Sequence, residues 1–76
     1  MSKESMMLTY KDAVSDKFYE ISIEEVGGAF DVPFRFGRTG TNGQSGFKAQ
    51  GVTYEEAKKA FDKSVKEKLK KDYKPQ

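Results

Sequence analysis

Residues 17–26, KFYEISIEEV, decide how this chain is read. Tyr19, Ile21 and Ile23 alternate with Glu20, Ser22 and Glu24, the period of two expected of a strand with one face on a core and the other in water. Such sidedness belongs to an antiparallel sheet. Gly27-Gly28 follows as a two-residue turn of the primed kind, in which both central positions take positive φ. Residues 29–38 return as a second arm whose Phe30, Val32, Phe34 and Phe36 share one parity, while Pro33 on the other parity predicts an edge or a bulge. Upstream, residues 6–11 (MMLTYK) alternate as a short strand with Leu8 and Tyr10 on one face. Residues 1–5 read as a frayed polar end and residues 12–16 as a connection. Downstream, Asn42-Gly43 marks another turn. Residues 44–50 (QSGFKAQ) form a weaker strand with Phe47 and Ala49 inward and Lys48 outward.

A helix starts at Thr53. Thr53-Tyr54-Glu55-Glu56 is a capping box, with Val52 and Ala57 spaced for a hydrophobic staple. Tyr54, Ala57, Phe61, Val65 and Leu69 then recur at spacings of three and four, an apolar stripe about four turns long. Glu55–Lys59 and Asp62–Lys66 are favourably oriented i,i+4 pairs, and acids open the helix while lysines close it. Tyr73 and Pro75 lie beyond its end. The fold class is therefore α+β: a small, mostly antiparallel sheet of about four strands packed against one C-terminal amphipathic helix. The reading is a single domain over residues 1–76 with its core between 6 and 73.

Composition narrows function. A chain of 76 residues buries only about 60% of its unfolded surface, so the core is thin. Cysteine and histidine are both absent, which removes the disulfide, the thiolate metal site and the commonest general base. Glu24 and Glu25 point to opposite faces of a strand, and Glu55 and Glu56 belong to the cap, so neither pair forms an acid–base site. The expectation is no catalytic residue, no metal, no cofactor and no small-molecule substrate. No apolar run reaches the roughly 20 residues of a membrane span, and the N-terminus has no signal-peptide core, so a cytoplasmic, membrane-free protein is expected. The net charge is +2, with the positive excess falling after Thr53.

Chemistry gathers in residues 33–46, PFRFGRTGTNGQSG. Gly37, Gly40, Gly43 and Gly46 recur every third position, and Arg35 and Arg38 are the only arginines. Glycine lets main-chain N–H groups converge on an anion, and arginine adds a planar fork that fits phosphate or carboxylate oxygens. The expectation is an exposed loop presenting both guanidinium groups together. The run is neither a Walker A loop nor a Gly-x-Gly-x-x-Gly fingerprint.

Three motifs add a resemblance. Phe36-Gly37-Arg38 running into Thr39-Gly40-Thr41-Asn42-Gly43-Gln44 resembles the signature of the WGR domain, named for its Trp-Gly-Arg triplet and often continued in its bacterial branch by Ile-Gly-Thr and Gly-Gln. Lys17-Phe18-Tyr19-Glu20-Ile21 is similar to that family's Lys-Phe-Trp-Glu-Ile strand, and Lys68-Leu69-Lys70-Lys71-Asp72-Tyr73 to its closing Lys-Leu-x-Lys-Gly-Tyr. The likeness spans residues 8–73. Phe36 and Tyr19 stand where the family has tryptophan, and Asp72 where it has glycine.

WGR domains accompany poly(ADP-ribose) polymerases, where the module binds DNA near a break. There the aromatic residue of the triplet packs on a backbone sugar, and the arginine orders that contact or a neighbouring domain. The resemblance puts these roles on Phe36 and Arg38. The expected nucleic-acid-binding set is Arg35, Phe36, Gly37, Arg38, Thr39, Gly40, Thr41, Asn42, Gly43, Gln44 and Lys48, meeting DNA backbone or ends with little sequence specificity. Two alternatives stay open for Phe36: a ring offered to a sugar or base, or an extension of the apolar stripe into the core. Lys63, Lys66, Lys68, Lys70, Lys71 and Lys74 are either a diffuse phosphate-contacting face or a solvated helix exterior. The rival function is a protein–protein adaptor, in which the same loop clasps a partner's carboxylates or a strand edge pairs with another chain.

Overall fold

The structure is a computed structural model and describes residues 2–75. Its elements are β1 (Ser2–Lys11), β2 (Asp16–Val26), β3 (Ala29–Asp31), β4 (Pro33–Arg38), β5 (Gln44–Phe47), α1 (Tyr54–Lys70) and β6 (Lys74–Pro75). They form one six-stranded antiparallel sheet in the order β5-β4-β2-β1-β6, with β3 on β2, and the helix lies across one face. The α+β class holds, with more strands than the sequence suggested.

The Gly27-Gly28 turn has φ of 59° and 84°, both positive as its type requires. It sets the register of the whole returning arm. Val26 pairs Ala29, Glu24 pairs Asp31, and after a break at Val32 and Pro33 the same register resumes with Ile21 opposite Phe34 and Tyr19 opposite Phe36. Pro33 is neither on an edge nor a bulge in this arm. It lies inside the sheet, paired with Phe47 of β5, at the point where the ladder to β2 is interrupted. Val32 bonds the other way: its N–H donates to the Ala49 carbonyl (2.8 Å), and its carbonyl accepts from the Lys48 N–H (2.8 Å).

The frayed N-terminus expected for residues 1–5 is corrected from Ser2 onward, where β1 already pairs with β2. Glu4 ties this end to the helix, accepting from the Tyr54 hydroxyl and from Lys58 Nζ at 2.5 Å. Thr53 caps α1 as expected, its hydroxyl accepting from the Glu56 N–H at 3.2 Å.

The buried helix face is rotated from the expected stripe. Ala57, Phe61 and Ser64 are buried, whereas Tyr54 and Leu69 are exposed (Leu69 44%). The core is Leu8, Tyr19, Ile21, Ile23, Val32, Ala57 and Phe61, all between the helix and one sheet face. Phe47 is 52% exposed, not inward, because Gly46 faces the Phe34 ring and Phe47 takes the opposite parity.

The helix ends in a hook that the sequence reading did not anticipate. The Asp72 N–H donates to the Leu69 carbonyl (3.3 Å) and the Tyr73 N–H to the Lys68 carbonyl (3.1 Å), the paired bonds of a Schellman cap. Asp72 takes the left-handed position with φ 69°, a place that suits glycine, and the chain then returns as β6 beside Leu8 and Thr9. Replacing Asp72→Gly relieves the left-handed strain and is expected to stabilise the fold by about 1 kcal/mol. Urea denaturation measures it; a lower midpoint for the glycine variant would contradict this account of the cap.

Candidate nucleic-acid interface

Adjacent residues of β2, Phe18 and Tyr19, are both buried, on opposite faces of the sheet. Tyr19 lies under the helix. Phe18 lies on the bare face, where the guanidinium of Arg35 sits 5.3 Å from its ring centroid and the glycine loop folds over it. A Cβ on Gly43 would stand 3.0 Å from the tip of the Phe18 ring and only 2.2 Å from the Phe36 carbonyl oxygen. A Cβ on Gly37 would stand 2.7 Å from the Gly43 Cα. These two glycines let the loop fold back on its own strand.

The loop is also anchored by polar groups. Thr39 donates from its N–H to the Asp16 carbonyl (2.8 Å) and from its hydroxyl to the Asp16 carboxylate (2.7 Å). Thr41 donates from its N–H (3.1 Å) and its hydroxyl (2.7 Å) to the Arg38 carbonyl. The expected anion cradle of main-chain N–H groups is thus partly spent on closing the loop. Gly40, Asn42 and Gln44 are exposed.

The two arginines do not point together, contrary to the sequence expectation. They are three residues apart on an extended strand, so their side chains leave opposite faces. Arg35 stays on the bare face and pairs with Glu20 at 2.9 Å, an exposed ion pair of small energetic weight. Arg38 pairs with Lys17 in register and joins the helix-side face.

That face carries a cleft of about 450 Å³ lined by Ser15, Asp16, Lys17, Phe36, Arg38, Lys68 and Tyr73, with Val14 at its lip. A second hollow sharing Lys17, Lys68 and Tyr73 extends it to Tyr10 and Lys71. Asp12 shapes the lip: its carboxylate accepts from the Val14 and Ser15 N–H groups at 2.9 and 2.6 Å.

Phe36 resolves between its two readings. It is 39% exposed and stacks on Phe34 with centroids 5.9 Å apart and planes at 9°. Phe34 in turn stacks on Tyr19 at 5.9 Å. This aromatic row runs from beneath the helix out to the cleft, and cations lie along it: Lys68 at 4.9 Å from Tyr19 and Lys48 at 4.6 Å from Phe34. Lys48 therefore faces the helix side, together with Phe34.

Lys68 is the most enclosed of these cations. Burial pushes its pKa down, and the nearby charges of Lys71, Lys48 and Lys17 push the same way against Glu67. The Tyr19 hydroxyl is buried beneath the helix and its pKa is raised for that reason. The Ser64 hydroxyl near it opposes the shift without reaching hydrogen-bond geometry.

Of the residues expected from the sequence, the cleft brings together Phe36 and Arg38, with Lys48 beside them; Arg35 and the loop from Thr39 to Gly43 lie toward the other face. Lys68 and Lys71, two of the helix lysines left open between a phosphate-contacting face and a solvated exterior, line the two hollows, and Lys17 and Tyr73 join them without having been singled out as contacts. Lys17 shares the parity of Tyr19, a signal present in the sequence, whereas Lys68 continues the 57–61–64 buried phase that only the packed helix reveals.

A one-helix antiparallel sheet that exposes an aromatic-Gly-Arg strand end beside a cationic cleft is a binding module in form. Residues 4–76 match the WGR domain, and the chain belongs to that family, typically nucleic-acid-binding modules rather than catalytic domains. Comparison with curated proteins and with solved structures gave no match. Among the described residues, no helix is long and apolar enough to cross a membrane.

The Gly37 contact generates a test. Gly37→Ala places a methyl against main chain that has no room to move aside, and a loss of about 2 kcal/mol is expected from overpacking of this kind. Gly40→Ala, whose Cβ would meet nothing within 4 Å, pays only for its positive φ. Thermal melts of the two variants rank them, and equal melting temperatures would remove the close-approach explanation for Gly37.

Proposed function

We propose that the cleft binds the backbone or ends of nucleic acid, DNA before RNA, with little sequence specificity. One observation carries the reading: Lys17, Arg38, Lys68 and Lys71 converge from three separate elements on a hollow with an exposed aromatic ring at its edge. Asp16 is the acid at the cleft wall and Glu67 lies near Lys68, but the cations lining the two hollows outnumber the acids lining them, an excess that suits an anionic ligand. Phosphate oxygens meet the cations, and Phe36 offers a flat face to a sugar or base. Phenylalanine has less area than tryptophan and no indole N–H, which weakens that contact relative to the family triplet. Family membership supports the ligand class. Lys48, just beyond β5, extends the cationic surface over Phe34, whereas Arg35, paired with Glu20 on the far face, stands outside it.

Binding of this kind is dominated by counterion release and falls with added salt. Fluorescence anisotropy with blunt duplex, 5′-phosphorylated duplex, single strands and RNA, each at two salt concentrations, tests it. Arg38→Ala is expected to weaken binding and lower the slope of log K against log salt by about 1. Arg35→Ala is expected to leave both nearly unchanged. If Arg35→Ala weakens binding as much as Arg38→Ala, the interface lies on the other face. If no nucleic acid binds at low salt, the adaptor reading replaces this one, and a pull-down that survives nuclease and high salt identifies it.

A further inference from the structure

We propose that Lys68 is a carbonyl-capturing amine that forms an imine with an aldehyde carrying a phosphate group. The inference deepens the cleft reading above, since it relies on the same cations to hold the phosphate.

The geometry separates Lys68 from the other lysines of the helix. Its amine lies 4.9 Å from the Tyr19 ring centroid and 5.4 Å from that of Tyr73, on the floor of the cleft. Lys17 and Arg38 line the same hollow, Lys71 the adjoining one, and Lys48 lies along the same face. The two rings favour the ammonium form, and Glu67 does too. Against them, burial and the charges of Lys71, Lys48 and Lys17 draw the Lys68 pKa below the ordinary lysine value. A partly desolvated lysine among other cations is the setting in which amines attack carbonyls. The Asp16 carboxylate is held by the Thr39 hydroxyl, and Ser15 and Tyr73 add hydroxyl groups to the wall.

The step balances without a cofactor. Lys68 gives its proton to solvent, and the free amine adds to the aldehyde carbon, forming a C–N bond as the carbonyl oxygen becomes a hydroxyl. Loss of that hydroxyl with a proton as water breaks the C–O bond and leaves the C=N double bond. The neighbouring cations fix the phosphate, so the aldehyde is delivered at short range instead of from bulk solution. A free sugar phosphate and an abasic sugar at a strand end both carry this pair of groups.

Borohydride trapping followed by peptide mass mapping tests the inference on the intact chain. The probes are glyceraldehyde 3-phosphate, glyceraldehyde without phosphate, and a duplex with a 5′-terminal abasic sugar phosphate. Expected is a reduced adduct on Lys68 several-fold above that on any other lysine for at least one phosphate-bearing probe, with that preference lost for glyceraldehyde. Lys68→Arg keeps the charge and loses the adduct. The probe that labels identifies the source, free metabolite or strand end. Labelling spread evenly over the lysines, centred elsewhere, or indifferent to the phosphate overturns the inference. Anisotropy with an intact duplex on the same preparation separates the two readings: duplex binding without a Lys68 adduct overturns this one alone. An adduct from glyceraldehyde 3-phosphate without duplex binding overturns the nucleic-acid reading alone.

Discussion

The structure depends on burying two adjacent aromatic side chains on opposite sides of one strand. A sheet covered by a single helix has one protected face, and Tyr19 occupies it. Phe18, one residue earlier, needs cover that no second helix supplies. The glycine loop and the guanidinium of Arg35 provide it, folding onto the bare face and covering the ring. The close spacing of glycines after Phe36 is in large part an answer to this packing problem, and only secondarily a device for meeting a ligand.

The same constraint distributes charge. Because the loop is drawn toward Phe18, the surface left open beside Phe36 is filled from elsewhere, by the start of β2 and the last turns of the helix. Lys17 arrives by strand parity and Lys68 by helical phase, and each lies over a tyrosine ring, which lowers the penalty for holding cations close together. The Asp12 turn keeps the lip of the cleft in place with main-chain bonds. The site thus draws on segments far apart in sequence, while the motif that first attracts the eye contributes mainly Phe36 and Arg38.

Much of this was legible. The alternation of residues 17–26, the Gly27-Gly28 turn and the Thr53 cap are local signals, and local signals survive folding when the surroundings agree with them. The divergence of Arg35 and Arg38 was also readable, since an odd separation on an extended strand puts two side chains on opposite faces; clustering in sequence suggested otherwise. Phe18 stood at a polar-parity position and was the hint that the second face carries a patch of core. Less accessible were the rotation of the helix toward Ser64 and Lys68, and the return of β6 to β1. Both follow from where the helix axis settles on the sheet, a tertiary outcome with no local signature. Position 72 carried a trace of it, since Asp72 stands where the family motif has glycine, the residue best suited to the left-handed conformation found there.

Lys68 belongs to two structures at once. Its carbonyl accepts the Tyr73 N–H that closes the helix, while its amine reaches the cleft within 4.9 Å of the Tyr19 ring centroid and 5.4 Å of that of Tyr73. Occupancy of the cleft and order at the helix end are therefore thermodynamically linked. Whatever engages that amine resists fraying of the last turn, and fraying of the last turn withdraws a cation from the ligand. In so small a protein the recognition surface doubles as a brace for its own scaffold.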